Sequence, residues 1–171
     1  FTYLDGLEGA TPHPGVPNMY RVTRASATER TYCPEAWLAD FLDGEGSSPN
    51  AIWCFDRTGA APLRTAYETL VREEGIDAIV LVDGGVDSIL RGDEISLGTP
   101  SEDLASIAAV STMTRSVPAF LMCYGMGSEM RDGISHAQVL ERMAELTREG
   151  GFLGLSALTP GTAEAEAYAA A

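Results

Sequence analysis

Continuous apolar runs and helical repeats alternate along most of the chain. The apolar runs, which are typical of strands covered on both faces, occupy 51–55, 78–82 and 118–123. Helices are predicted after each of them, where apolar residues recur at helical spacing, over 61–74, 100–113 and 136–148. Strand followed by helix, three times, indicates βαβ units. We therefore expect an α/β fold with three layers and a mainly parallel sheet.

The N-terminal region is less regular. Residues 1–31 are rich in glycine and proline and predict loop, with one extended segment at 19–23. A short helix is predicted over 34–43, with Trp37 and Leu38 on its apolar face. We interpret 1–171 as a single α/β domain and as an internal fragment of a longer protein, since the chain begins at phenylalanine and stops within an alanine-rich helical segment.

Two helix starts carry capping signals. Thr99 and Ser135 precede the predicted helices, and each is followed three residues later by a glutamate or glutamine. The two capping-box patterns fix the predicted starts of these helices at residues 100 and 136.

The excess of acidic residues argues against some classes of binding partner. The net charge of −14 comes from 25 acidic against 11 basic residues, which disfavours nucleic acid and anionic membrane surfaces. All bases are arginine, so no lysine is present for a Schiff base or a Walker-type phosphate site. We expect a small-molecule ligand, with homo-oligomerisation left open.

The cysteines and the hydropathy of the chain indicate where in the cell the protein is expected. The three cysteines, Cys33, Cys54 and Cys123, lack CxxC spacing, which argues against disulfides and zinc, and Cys54 and Cys123 are expected in the core. No apolar stretch is long enough to span a membrane, and the first residues lack the basic and apolar regions that are typical of a signal peptide. The expected location is cytoplasmic.

The segment 83–99, named here the acidic loop, concentrates the candidate chemistry. It follows an apolar strand and is long for a strand-to-helix connection. Asp83 and Asp87 are candidate ligands of Mg²⁺, which prefers oxygen donors. Arg91 is a candidate clamp for an anionic group. The candidate ligand-binding residues are Gly84, Gly85, Ser88, Arg91, Gly98, Thr99, Asp56 and Gly125.

Carboxylates are the preferred acid–base groups. Crowding is expected to raise the pKa of one acid among the candidate catalytic residues Asp83, Asp87, Asp93 and Glu94. The histidines, His13 and His136, lack partners at metal-ligand or triad spacing.

Three interpretations of the acidic loop compete. Its glycines could form a tight turn that the acids and Arg91 merely stabilise, as in a non-catalytic ligand-binding or assembly module. Residues 83–88 (DGGVDS) also resemble the Ser-Gly-Gly-x-Asp-Ser pyrophosphate loop of AMP-forming ligases and ATP pyrophosphatases, with Asp83 in place of the first serine. The third interpretation is a magnesium-dependent site for a small metabolite.

A longer resemblance involves the same segment. The chain resembles the domain of unknown function 1152 family through residues 81–88 (LVDGGVDS), 91–94 (RGDE), 97–100 (LGTP), 102–103 (ED) and 150–154 (GGFLG). The resemblance extends from about residue 34 to the end of the chain. It implies a Rossmann-like α/β protein, an enzyme or small-molecule binder with a site in the acidic loop, and it supplies no substrate.

The functional hypothesis combines these features. We expect an α/β protein that binds a phosphorylated or nucleotide-like metabolite, with Asp83 and Asp87 placing Mg²⁺ and Arg91 neutralising an anion. Catalysis would be hydrolysis or group transfer. The alternatives are the AMP-forming ligase and the non-catalytic module.

Overall fold

The described residues form two compact units. The computed structural model describes residues 4, 7–26, 33–44, 51–96, 98 and 100–170. Unit 1 comprises the described residues of 1–58 and 156–171, and unit 2 comprises those of 59–155. Both helices and strands occur, so the fold is a mixed α/β fold. Whether 1–171 acts as a single domain stays a prediction.

Unit 1 contains an antiparallel sheet of three strands in the order β1-β2-β3. The strands are β1 (Thr11–His13), β2 (Val16–Val22) and β3 (Ile52–Phe55). Strand β2 is the central one, and its residue Met19 pairs with Phe55 of β3. The prediction that 51–55 joins a parallel sheet is therefore wrong, because its partner is the extended segment near 19–23. An apolar run indicates a strand but does not identify the neighbouring strand.

Small residues form much of the core of unit 1. Helix α1 (Pro34–Gly44) packs on β2 and β3, and it buries Ala36 and Ala39. The predicted apolar face of this helix is wrong, since Trp37 is 62% exposed. Cys54 lies in the core, as expected, and burial raises the pKa of its thiol to about 12. The helix α5 (Ala163–Ala170) also belongs to this unit.

Unit 2 contains the predicted parallel strands. Its elements are α2 (Ala60–Glu74), β4 (Ile79–Asp83), α3 (Pro100–Ser111), β5 (Ala119–Cys123) and α4 (His136–Arg148). Strands β4 and β5 pair in parallel, with Asp83 opposite Cys123 at their carboxyl ends. The helix α3 provides the crossover and packs on α2 and β4. This βαβ unit was predicted from the alternation of apolar runs and helical repeats, and the structure confirms it.

Two more detailed predictions about the parallel sheet are not confirmed. The parallel sheet has two strands in the described part of the chain, so a three-layer arrangement around a mainly parallel sheet is not established. Val82 and Met122, paired in register on one face of this sheet, are 66% and 55% exposed. Both strands were expected to be covered on both faces. None of the described helices has the length and apolar character needed to cross a bilayer.

Candidate functional site

Asp83, the last residue of β4, organises the start of the acidic loop. Its carboxylate accepts hydrogen bonds from the backbone amide of Gly85, at 2.7 Å, and from that of Ser88, at 3.2 Å. An aspartate that accepts an amide two residues later stabilises a turn in the way that asparagine and aspartate commonly do. Asp83 therefore has a structural role, and a carboxylate offers further lone pairs for a ligand.

Asp87 is the most buried acid of the loop. It begins a single 3-10 turn, Asp87–Ile89, and is only 4% exposed. Gly98, near the other end of the loop, lies against its side chain: a Cβ built on Gly98 would fall 2.4 Å from Oδ2 of Asp87. Gly98 also has a φ of +61°, which few side chains tolerate. Two features thus require glycine at this position.

Asp103 completes a group of three carboxylates. It lies in the first turns of α3, close to the carboxyl end of β4. One carboxylate oxygen each from Asp83, Asp87 and Asp103 lies within 4.8 Å of the others. This separation allows one cation to contact all three after small side-chain shifts, and an all-oxygen donor set suits Mg²⁺ or Ca²⁺. We name Asp83, Asp87 and Asp103 the carboxylate triad.

A cavity adjoins the carboxylate triad. Its volume is about 240 Å³, and it runs along β4 next to α2 and α3. The polar residues that line it are Tyr67, Asp83, Ser88, Asp103 and Ser106. Tyr67 donates its hydroxyl to Oγ of Ser106 at 3.4 Å. The cavity can therefore offer hydroxyl groups as well as carboxylates to a small molecule.

The loop after β5 reaches the acidic loop through Glu129. Its Oε2 accepts the backbone amide of Val86 at 2.6 Å, and a Cβ on Gly85 would fall 2.4 Å from its Cδ. Burial raises the pKa of the Glu129 carboxyl, and the nearby charges of Asp87 and Asp83 act in the same direction, while the Val86 amide opposes them. Burial is thus the main cause of the raised pKa, and Glu129 was not among the candidate catalytic acids.

The second half of the acidic loop is organised by other contacts. Arg91 donates its guanidinium to Glu145 of α4, and Arg142 donates to the other oxygen of Glu145 at 3.2 Å. Glu94 accepts the backbone amides of Arg91, at 2.9 Å, and of Gly92, at 2.8 Å. These amides lower the pKa of the Glu94 carboxyl, chiefly that of Arg91. Asp93 is exposed.

The remaining predicted ligand-binding residues do not all lie at the carboxylate triad. Ser88 lies beside the carboxylate triad, where its hydroxyl is 3.3 Å from Sγ of Cys123. Gly84 is exposed, and Gly125 lies near it, because a Cβ on Gly125 would fall 3.9 Å from the Gly84 carbonyl oxygen. Thr99 lies outside the described residues. Asp56 belongs to unit 1, where its amide donates to the Asn18 carbonyl at the end of β3.

Sequence reasoning missed Asp103 and Glu129 as site residues. Both carried a usable signal, because each follows a parallel strand through a loop that emerges at the same carboxyl edge of the sheet. Asp103 is three residues after the proline that begins α3, and Glu129 follows Gly125 and Gly127.

The fold and the site define a mixed α/β protein with an oxygen-rich carboxylate triad at the end of a parallel strand pair. The family described as protein of unknown function (DUF1152) matches residues 19–169, and the chain belongs to this family. The match confirms the resemblance on which the sequence analysis relied. No curated protein and no solved structure matches the chain.

Proposed function

We propose that the chain binds a small metabolite through a divalent cation, with Mg²⁺ as the expected ion. The observation that carries this proposal is the convergence of Asp83, Asp87 and Asp103, from β4, the turn after it and α3. Three carboxylates so close together are costly unless a cation or proton compensates them. The adjacent cavity provides room for a ligand beside the ion.

The proposed class of ligand depends on which group neutralises its negative charge. We propose a phosphorylated or nucleotide-like metabolite whose phosphate oxygens share the cation, because Mg²⁺ commonly binds both carboxylates and substrate phosphates. Arg91 is already paired with Glu145, which makes the cation the better candidate to neutralise the phosphate. The hydroxyls of Tyr67 and Ser106 would contact the uncharged part of the ligand.

We further propose hydrolysis or group transfer as the reaction. Asp103 lines the cavity, and this supports a role in which its carboxylate accepts a proton from a water or hydroxyl group bound there. The cation would polarise the reacting oxygen, as metal ions do in phosphoryl chemistry. Because Asp103 is also a proposed ligand of the cation, turnover would be measured at saturating Mg²⁺. A pH–rate profile that loses its acidic limb in Asp103→Asn under these conditions would support this role.

The fold proposal is a Rossmann-like arrangement. Its support is the β4–α3–β5 unit, in which the site lies at the carboxyl ends of two parallel strands, as ligand sites of open α/β sheets do. An experimental structure of the intact protein with further parallel strands beside β4 or β5 would bear this out. A sheet limited to two parallel strands would contradict it.

A non-catalytic module is the main competitor, and one observation favours it. Both oxygens of Asp83 accept loop amides, which is what a purely structural acid would do. The AMP-forming ligase gains no such support, since the amides of Gly85, Val86 and Ser88 that would receive pyrophosphate already bind carboxylates.

A thermal-shift experiment separates these functions. The full-length protein would be screened with nucleotides and sugar phosphates, with and without Mg²⁺. We expect Mg²⁺-dependent stabilisation of the wild type and of Asp93→Asn, an exposed acid of the same loop, and its loss in Asp87→Asn. Stabilisation by Mg²⁺ and ligand that is unchanged in Asp87→Asn, or that is absent from the wild type, would contradict the proposal.

A further inference from the structure

Glu129 contacts the acidic loop in an unusually close way. Its carboxylate accepts the Val86 amide from a position 43 residues further along the chain. It also lies so close to Gly85 that both of its oxygens would be 2.6 Å from a Cβ built there. Any side chain at residue 85 would displace the carboxylate, so the glycine and the glutamate depend on each other.

Two carboxylates together fix the backbone on both sides of Asp87. Asp83 holds the amides of Gly85 and Ser88, and Glu129 holds the amide of Val86 between them. The side chain of Asp87 leaves the backbone within this stretch and is buried. Hydrogen bonds to the backbone before and after Asp87 therefore set the direction of its side chain. One of these bonds, to the Val86 amide, comes from Glu129 in the loop after β5.

The negative charge of Glu129 has an electrostatic cost that its hydrogen bond with the Val86 amide does not require. Glu129 adds its carboxylate to a region that already contains Asp83 and Asp87, and like charges at close range repel one another. A glutamine would accept the same amide without that cost. The charge becomes favourable when a divalent cation occupies the carboxylate triad, since groups that support metal ligands also tune the ion's affinity.

We propose that Glu129 is a positioning residue for the cation site, which holds the Val86–Asp87 backbone so that Asp87 faces Asp83 and Asp103. This inference rests on the proposed function. Glu129 acts through its length, because the carboxylate must span from the loop after β5 to the Val86 amide. The bond to Val86, rather than the charge alone, is what the cation site requires.

Two substitutions separate length from charge. Glu129→Gln keeps the length and an acceptor oxygen but removes the charge, whereas Glu129→Asp keeps the charge and is too short to reach Val86. Calorimetric titration with Mg²⁺ alone would measure the dissociation constant for each, and circular dichroism would confirm folding. We expect Glu129→Asp to bind Mg²⁺ at least about tenfold more weakly than the wild type, the usual effect of losing a supporting group. Glu129→Gln, which loses the charge but keeps the bond to Val86, should weaken Mg²⁺ binding by less than Glu129→Asp does.

The matched control is Glu145→Gln. Glu145 also ties the acidic loop to the rest of unit 2, through Arg91, but it is not bonded to the backbone beside Asp87. Its substitution should lower the melting temperature without weakening Mg²⁺ binding. A variant Glu129→Asp that binds like the wild type, or a Glu129→Gln as weak as Glu129→Asp, would overturn the inference while leaving the cation site intact. A wild type that does not bind Mg²⁺ would overturn the proposed function itself, and this inference with it.

Discussion

Gly84 and Gly85 are neighbours in the sequence, but a side chain would have different consequences at the two positions. A Cβ on Gly84 would meet nothing within 4 Å, whereas one on Gly85 would collide with the Glu129 carboxylate. Neither glycine has a positive φ, so backbone strain does not distinguish them. Residue 85 differs from residue 84 because a side chain there would displace the Glu129 carboxylate, which accepts the Val86 amide.

The pair Gly84→Ala and Gly85→Ala tests this explanation. We expect Gly85→Ala to lower the free energy of unfolding by about 1–3 kcal/mol, the usual cost of leaving a buried donor unpaired, because the added methyl group displaces the Glu129 carboxylate from the Val86 amide. Gly84→Ala should change it by about 0.5 kcal/mol or less, as for exposed sites. Urea denaturation of both variants measures the difference. Equal losses at the two positions would show that the contact with Glu129 does not govern residue 85.

Glu94 gives a prediction about pH. Its carboxyl pKa is lowered in the folded protein, chiefly by the Arg91 amide, so the ionised form is favoured by folding. The resulting stabilisation is present above the pKa of the unfolded state, about 4.3, and is lost as the pH falls through the folded-state pKa. The melting temperature of the wild type should exceed that of Glu94→Gln at pH 7, and the gap should close in acid. A gap that persists at pH 2 would contradict this origin.

At the scale of elements, the helix boundaries followed from the sequence more reliably than the helix faces. Helix α4 spans the predicted residues, and α2 begins one residue early. Ser135 lies at the N-cap of α4 as expected, although its side chain makes no capping hydrogen bond. Local signals define where a helix starts, but in α1 tertiary packing placed small alanines inside and left Trp37 outside.

The C-terminus of α2 offers a test of an element boundary. Gly75 ends this helix with φ of 66° and ψ of 38°, and its amide donates to the Val71 carbonyl. Gly75→Ala forces a side chain into the left-handed region and should cost about 1 kcal/mol of unfolding free energy. Gly44→Ala, at the end of α1 and without a positive φ, is the control and should cost nothing. Thermal denaturation showing equal effects would refute the left-handed cap as the cause.

In the whole molecule, the sequence indicated the position of the candidate site better than the set of residues that the structure brings together there. The apolar strand, the glycines and the dense acids identified the end of β4, where Asp83, Asp87 and Ser88 do lie together. Asp103 was missed because it is distant in sequence and joins the cluster only through the crossover that brings α3 back to β4. Arg91 was expected at the ligand, but its pairing with Glu145 depends on the position of α4.

Strand pairing shows the same limit. The apolar runs at 51–55 and 78–82 look alike in sequence, yet one forms an antiparallel sheet in unit 1 and the other a parallel pair in unit 2. Residues 51–55 join the antiparallel sheet because they pair with β2. The alternation of buried and exposed residues in β2 was only partly visible among the glycines and prolines of the N-terminal region. Long-range partners of this kind are not encoded in local hydropathy.

We propose that Asp83, Asp87 and Asp103 hold one divalent cation, and this can be tested by locating the metal directly. Crystals of the full-length protein grown with Mn²⁺, an ion that can replace Mg²⁺, would show by anomalous scattering where the metal binds. We expect one strong peak within about 2.5 Å of an oxygen from each of the three carboxylates. A metal-replete crystal with no peak there, while the three side chains keep their positions, would contradict it.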